Sequence, residues 1–217
     1  MNFLSRALVV LMALSPLACS AADDAKFKFG EHYSRVRAAV APANPDKIEV
    51  MEVFAYGCTH CNSFEPTLEK WLKKKPADVE FVRLPHSLGS GPGMLHNKAF
   101  YTARMLGVFD KFHPALFNAI HVQHKPMSTV EAIRALFVES TGVKAEDFDG
   151  AFSGFAVDAG FRRGEIALQS MAISSVPTIV VNGQYFTSGG MAPGGLGGML
   201  KVTDFLIEKA RKERGKR

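Results

Sequence analysis

The chain contains little cysteine, with only three such residues among 217. Two of them, Cys58 and Cys61, lie three positions apart in the stretch YGCTHCNSF, and the sequence holds no second Cys pair. A four-ligand zinc site needs two further ligands beside such a pair. Because none of the other histidines is paired closely with these cysteines along the chain, the sequence disfavours zinc and predicts no metal.

Other absences narrow the possible functions. The sequence has no apolar run long enough to form a membrane-spanning helix, and it has no repeats, heptads or phosphate-binding glycine motif. Its net charge is +5, but six basic residues and one acidic residue in the final nine positions account for that whole excess. A basic end of this kind is typical of a solvated helix terminus. We therefore predict no nucleic-acid partner.

The N-terminal segment predicts a secretory signal peptide over residues 1–22. A basic leader, a short apolar run and a cluster of small residues follow one another, as in exported proteins. Cleavage near Ala21 or Ala22 removes Cys19 from the mature protein. The alternative is a lipoprotein that carries Cys19 as its first residue. We rank it second, because Pro16 stands where such proteins have leucine.

Export restricts the chemistry open to the remaining two cysteines. Exported proteins often use disulfides as structural staples. A bridge between Cys58 and Cys61 closes a very short loop, and the stabilisation from loop closure falls as the loop shortens. Redox chemistry needs only the two thiols, so the pair favours a dithiol–disulfide function. Because a Cys-x-x-Cys motif alone is a moderate signal, the sequence on either side of it has to decide between these uses.

The surroundings of the pair predict a βαβ unit. The apolar run 47–56 indicates a buried strand, the segment after Cys58 has helical spacing, and Val79–Pro85 indicates a second strand. This order places Cys58 at the start of a helix. Unpaired backbone N–H groups and the helix dipole at that position favour a thiolate over a thiol.

The rest of the chain divides into a helical block and a late pair of strands. Helical spacing dominates residues 93–172, where Ser128 and Glu131 predict a capping box that opens a helix ended by Gly142. In the same block, His121 and His124 predict a polar helix face. The segment 176–186 then predicts a hairpin, with a type I′ turn at Asn-Gly, before an amphipathic terminal helix.

With these residues in place, the chain resembles the DsbA-type thiol:disulfide oxidoreductases of the bacterial envelope. The resemblance rests on CTHC after a buried strand, on the late Val-Pro, and on the order of the elements along nearly the whole mature chain. It implies an α/β architecture, a thioredoxin fold with an inserted all-helical domain. Residues 23–88 and 171–217 would form the thioredoxin part, and residues 89–170 the insertion.

The resemblance also assigns the thiol site. It implies that Cys58 attacks or is attacked, that Cys61 resolves the mixed disulfide, and that Pro177 follows a cis peptide bond and lies against the Cys pair. His60 would favour the Cys58 thiolate, although a histidine that only caps the helix is the alternative. Glu52 would accept a proton from Cys61. The alternative is that Glu52 is a buried carboxylate with a satisfied structural partner and has no catalytic role.

Four positions also enter the comparison with the family. Glu52 is the strand glutamate that matches a buried acid of the family, and Arg83 stands where relatives have lysine. Thr59 replaces the proline of CPHC. We expect Thr59 and Val176 to contact substrate.

The sequence therefore predicts an exported enzyme that introduces disulfide bonds into folding proteins and needs no cofactor beyond its own redox-active disulfide. The resemblance implies a periplasmic monomer that is reoxidised by a DsbB-like membrane quinone reductase. A disulfide isomerase or reductase is the alternative in the same class. From a different class, the chain could be a chaperone-like binding module on a thioredoxin scaffold.

Overall fold

The computed structural model describes residues 26–215. The predicted signal peptide and Cys19 lie outside the described residues. Within residues 26–215, no helix combines the length and the apolar character needed to cross a membrane.

A five-stranded mixed sheet forms the centre of the fold, in the order β1-β5-β4-β2-β3. Strand β2 runs parallel to β3 and antiparallel to β4, so it is flanked on both sides. All of its residues are buried, which agrees with the segment rich in Val, Ile and aromatic residues that predicted it, and Glu49 and Glu52 are buried with them. The strands are β1 (Ser34–Arg35), β2 (Ile48–Phe54), β3 (Val79–Pro85), β4 (Thr178–Val181) and β5 (Tyr185–Ser188).

Seven helices surround this sheet in the described part of the chain, and five of them, α2 to α6, lie between β3 and β4 in sequence. The helices are α1 (Thr59–Leu72), α2 (Gly91–Met105), α3 (Phe109–His121), α4 (Val130–Thr141), α5 (Ala145–Phe152), α6 (Phe155–Met171) and α7 (Leu196–Arg214).

Three apolar clusters hold these layers together. Helices α1 and α7 pack on one face of the sheet, where Phe64 and Leu206 meet Val50. Helix α6 covers the other face through Leu168. The third cluster lies among α2 to α5, and the end of β2 enters it through Phe54 and the residues that follow. The thiol pair therefore lies where the sheet meets the helical block.

The turns and caps agree with the sequence in all but one detail. Asn182 and Gly183 join β4 to β5 with φ values of 52° and 61°, and the predicted type I′ turn requires positive φ at both positions. Helix α4 ends at Gly142 as predicted. It begins one residue later than the expected capping box, because Thr129 rather than Ser128 accepts the hydrogen bond from Ala132 N.

Candidate active site

The thiol pair occupies the first turn of α1. Cys58 is the N-cap residue of this helix, with extended backbone angles, and its Sγ accepts a hydrogen bond from the Cys61 N–H at 3.4 Å. Cys58 is partly exposed, whereas Cys61 is fully buried, and both are free thiols. Only the first sulfur is thus accessible to another protein.

The pKa values of the two cysteines are shifted in opposite directions. A hydrogen bond from the Cys61 thiol lowers the pKa of Cys58 to about 6, assisted by the backbone N–H groups of Cys61 and His60 and by the charge of His60. The same thiol–thiol contact, together with burial, raises the pKa of Cys61 well above its usual range. At neutral pH the pair therefore carries one negative charge, which resides on the exposed sulfur.

The exposed face of the site includes Thr59 and His60, which lie in the first helical turn directly after Cys58. The N-cap position belongs to Cys58 and not to His60. The His60 charge is the smallest of the named influences on the Cys58 pKa, and the contacts with Cys61 contribute more.

A second chain segment approaches the pair from the start of β4. The Val176–Pro177 peptide bond is cis, as the resemblance implied. Cys58 Sγ lies 3.7 Å from the Val176 carbonyl oxygen. Pairing of Thr178 with Val53 in the sheet brings this loop beside the helix that carries the thiols. Val176 thus lies against Cys58, although 118 residues separate the two along the chain.

A buried charge cluster lies beneath the site. Arg83 is the cross-strand neighbour of Glu52 and donates to it at 2.9 Å. The same guanidinium donates to Glu65 at 2.9 Å and to Glu69 at 3.4 Å, both on α1. Complete burial raises the pKa of Glu52 to about 8, although Arg83 opposes the rise and Glu65 adds to it. Through its charge, Glu52 in turn raises the pKa of Cys61.

Helix α3 contributes residues that the sequence did not place at the site. His113 Nδ1 lies 2.8 Å from the hydroxyl of Tyr56, which is buried two positions before Cys58. His121 Nε2 lies 2.7 Å from the Tyr56 carbonyl oxygen, and His124 lies beyond the end of α3, so the prediction that these two histidines form a polar helix face is wrong. The sequence signal for these residues was two histidines about two turns apart on a helix rich in apolar residues.

Across residues 26–215, no group of three or more His, Cys, Asp or Glu side chains is arranged to hold a metal ion. The site consists of two thiols, a buried carboxyl group and their hydrogen-bonding partners.

Comparison with known proteins agrees with this geometry. The DSBA-like thioredoxin domain family matches residues 49–197. The thiol:disulfide interchange protein DsbA of Pseudomonas aeruginosa is 39% identical over 94% of this chain and 95% of that relative. DsbA of Pseudomonas syringae is 38% identical over 97% of this chain and 96% of that relative.

Solved structures give the same result. The crystal structure of Pseudomonas aeruginosa DsbA has a TM-score of 0.81 at 38% identity, covering 88% of this chain and 98% of that one. The oxidoreductase DsbA from Xylella fastidiosa has a TM-score of 0.76 at 30% identity, covering 84% and 97%. These matches confirm the thioredoxin fold with a helical insertion. The chain therefore belongs to the DSBA-like thioredoxin domain family and is a thiol:disulfide oxidoreductase of the DsbA type.

Proposed function

We propose that this enzyme acts as a dithiol oxidase, which donates a Cys58–Cys61 disulfide to folding exported proteins. The observation that carries the proposal is the contrast between an accessible Cys58 with a pKa of about 6 and a buried Cys61 with a raised pKa. A stabilised thiolate favours the reduced state of the pair, and a pair that favours reduction oxidises other thiols.

The transfer proceeds in two exchanges. A substrate thiolate attacks Cys58 Sγ, the Cys58–Cys61 bond breaks, and the electron pair leaves on Cys61. A second substrate thiolate then attacks the substrate sulfur of the mixed disulfide, and the electron pair leaves on Cys58 as its stabilised thiolate. The substrate gains one disulfide, and the enzyme becomes a thiol at Cys61 and a thiolate at Cys58.

The buried carboxyl group supplies the proton that the first exchange requires. With its pKa near 8, Glu52 is mainly protonated at neutral pH. Cys61 has a raised pKa, so it takes up a proton as it leaves. The resulting Glu52 carboxylate remains beside Arg83, which stabilises it. Glu52 then acts as the general acid while the enzyme oxidises its substrate, and as the general base when the Cys58–Cys61 pair is reoxidised.

Substrate recognition would use the backbone near the cis bond. An extended substrate segment beside Val176 can form main-chain hydrogen bonds that depend little on its sequence. Thr59 and Val176 both neighbour Cys58, one on the helix and one on the loop that precedes β4. Such a surface suits an enzyme with many unfolded substrates.

The direct test is oxidation of a reduced peptide that contains two cysteines. The disulfide form of the enzyme is expected to convert an equimolar amount of peptide to its disulfide and to become fully reduced. A binding module with a static disulfide would leave both unchanged. An isomerase with a less oxidising disulfide would leave much of this peptide reduced at equilibrium, and its reduced form would rearrange the disulfides of a scrambled substrate.

Pro177→Thr is expected to slow substrate release and to accumulate mixed disulfides on Cys58. The substitution adds a backbone N–H and a hydroxyl next to Val176, whose carbonyl oxygen lies 3.7 Å from Cys58 Sγ, and it removes the proline ring at that position. Non-reducing gel analysis of the enzyme during turnover measures the trapped fraction. Turnover and trapping equal to wild type would show that Pro177 has no part in release.

The location and partners follow from the same assignment. We infer a periplasmic monomer with its signal peptide removed near Ala21 or Ala22, without a cofactor beyond its disulfide. A DsbB-like membrane quinone reductase would restore that disulfide. The intact mass of the exported protein distinguishes cleavage from a lipidated Cys19.

A further inference from the structure

Two buried polar atoms face each other at the edge of the charge cluster. Glu65 Oε1 and His113 Nε2 are both buried without a hydrogen-bond partner, and they lie 3.4 Å apart. The other oxygen of Glu65 accepts from Arg83. An unpaired buried polar atom is costly, so this arrangement needs a physical explanation.

The contacts of the imidazole determine where its proton lies. Burial holds the pKa of His113 below its usual range, so the ring is neutral at neutral pH. Glu65 bonds to Arg83 as a carboxylate, and a bare nitrogen facing a carboxylate oxygen would be repelled. The favoured tautomer therefore has its proton on Nε2, directed at Glu65, while Nδ1 accepts from the Tyr56 hydroxyl at 2.8 Å.

The contact between His113 and Glu65 affects how the positive charge of Arg83 is shared among its neighbours. Three carboxyl groups, from Glu52, Glu65 and Glu69, share the single guanidinium of Arg83. A donor on Glu65 Oε1 stabilises that carboxylate without drawing on the guanidinium. The charged or titratable groups that face His113 are Glu65 from α1, Arg83 from β3 and Asp110 from α3, with Tyr56 at its other nitrogen.

We propose that His113 is a positioning residue of the redox reaction: Tyr56 fixes its tautomer, and its Nε2–H binds Glu65, which leaves Arg83 free to stabilise the Glu52 carboxylate. We expect this donor to matter most when Glu52 loses its proton to Cys61 and the cluster gains a negative charge. A groove of about 620 Å³, lined by His113, Glu65 and Pro66, connects this edge of the cluster to solvent.

The inference rests on the proposed function, because it concerns proton transfer between Glu52 and Cys61. Without the donor, Glu65 competes more strongly for Arg83, and its charge is less well balanced. Both effects disfavour the Glu52 carboxylate, so the proton affinity of Glu52 should rise. Cys58 should not respond, because its acidity depends on Cys61 and on the first turn of α1.

The test starts from a mixed disulfide between Cys58 and glutathione and measures the rate at which it converts to the Cys58–Cys61 disulfide at a series of pH values. The quantity compared between variants is the pH midpoint of this rate. In this step Cys61 loses its proton to the Glu52 carboxylate, its sulfur bonds to Cys58, and glutathione leaves as a thiolate. The rate therefore rises as Glu52 ionises. In Tyr56→Phe and in the double variant Tyr56→Phe/His113→Phe, the midpoint should move upward by roughly half a pH unit, the size expected for one lost neutral hydrogen bond. The double variant leaves neither a hydroxyl nor an imidazole unpaired.

Three controls separate positioning from packing. His96→Asn alters another buried histidine whose ring packs on Tyr56 but bonds to the Met127 carbonyl, and it should leave the midpoint unchanged. In a Glu65→Gln background, Tyr56→Phe should add no further shift. The ultraviolet titration of the Cys58 thiolate should be the same in all variants.

The possible outcomes are distinct. A midpoint that stays at the wild-type value in both Tyr56→Phe and the double variant overturns the role of His113, and so does an equal shift with and without Glu65. Failure of the wild-type protein to close the glutathione disulfide at any pH contradicts the proposed function itself, and the inference fails with it.

Discussion

Cys58→Ser is expected to abolish disulfide transfer, whereas Cys61→Ser is expected to accumulate covalent complexes with substrates. Cys58 is the partly exposed sulfur and has a pKa of about 6, so it alone can meet a substrate sulfur at neutral pH. Cys61 is fully buried, so its role is confined to attack on its neighbour. Loss of Cys61 leaves the mixed disulfide without its internal resolving thiol.

Each variant is mixed with a substrate that carries an exchangeable disulfide, and the products are separated on a non-reducing gel. The Cys61→Ser complexes should disappear on addition of reductant, and the double variant Cys58→Ser/Cys61→Ser should form none. Equal trapping by the two single variants would contradict the assignment of the attacking sulfur.

The second large effect concerns stability and its dependence on pH. The reduced protein is expected to unfold at a higher temperature than the oxidised protein at neutral pH, and the gap should widen as the pH rises towards 9. A purely structural disulfide would do the reverse, because it restrains the unfolded chain. Here the bridge closes a very short loop, for which that restraint is smallest, and its formation removes a stabilised thiolate.

The direction of this pH dependence follows from the pKa of Cys58. Its folded value of about 6 lies below that of an unfolded thiol, roughly 8.5. The thiolate therefore stabilises the reduced fold fully above the unfolded pKa, and this contribution is lost as the pH falls through about 6. Allowing for the partial exposure of Cys58, the effect is about 1 kcal/mol at pH 7 and about 2 kcal/mol above pH 9.

Thermal melts of both redox forms at several pH values measure this difference. For a domain of this size, 1 kcal/mol corresponds to about 2–4 °C in Tm. Substitution of Cys58 by serine should make the melting temperature insensitive to reductant and should remove this contribution to the pH dependence. A gap between the redox forms that does not change from pH 5 to 9 would show that no stabilised thiolate exists.

Much of the fold could be predicted because its strongest signals are local. Val79–Pro85 was assigned as a strand from its residue types and is strand β3 over the same residues. The Asn182–Gly183 turn followed from backbone preferences that few other residues share. The position of Cys58 at a helix start required only a strand before it and helical spacing after it.

The contacts that tune the site could not be predicted in this way. Glu52 and Arg83 are 31 positions apart, and their pairing depends on the register of two parallel strands. His113 meets Tyr56 across 57 positions, because α3 packs over the end of β2. Sequence periodicity marks a helix face as polar or apolar, but it does not identify the partner. For that reason His121 was assigned to a polar face.

We expect the enzyme to be more stable as a dithiol than as a disulfide, which makes it an oxidant of other thiols. The most direct measurement is the redox equilibrium of the purified protein with glutathione at pH 7. At pH 7 the Cys58 thiolate contributes about 1 kcal/mol, which raises the reduction potential of the pair by about 20 mV, since ~1.4 kcal/mol corresponds to about 30 mV for two electrons. At equilibrium the protein is expected to be reduced even where oxidised glutathione is in excess. A disulfide that persists in a buffer of predominantly reduced glutathione would contradict it.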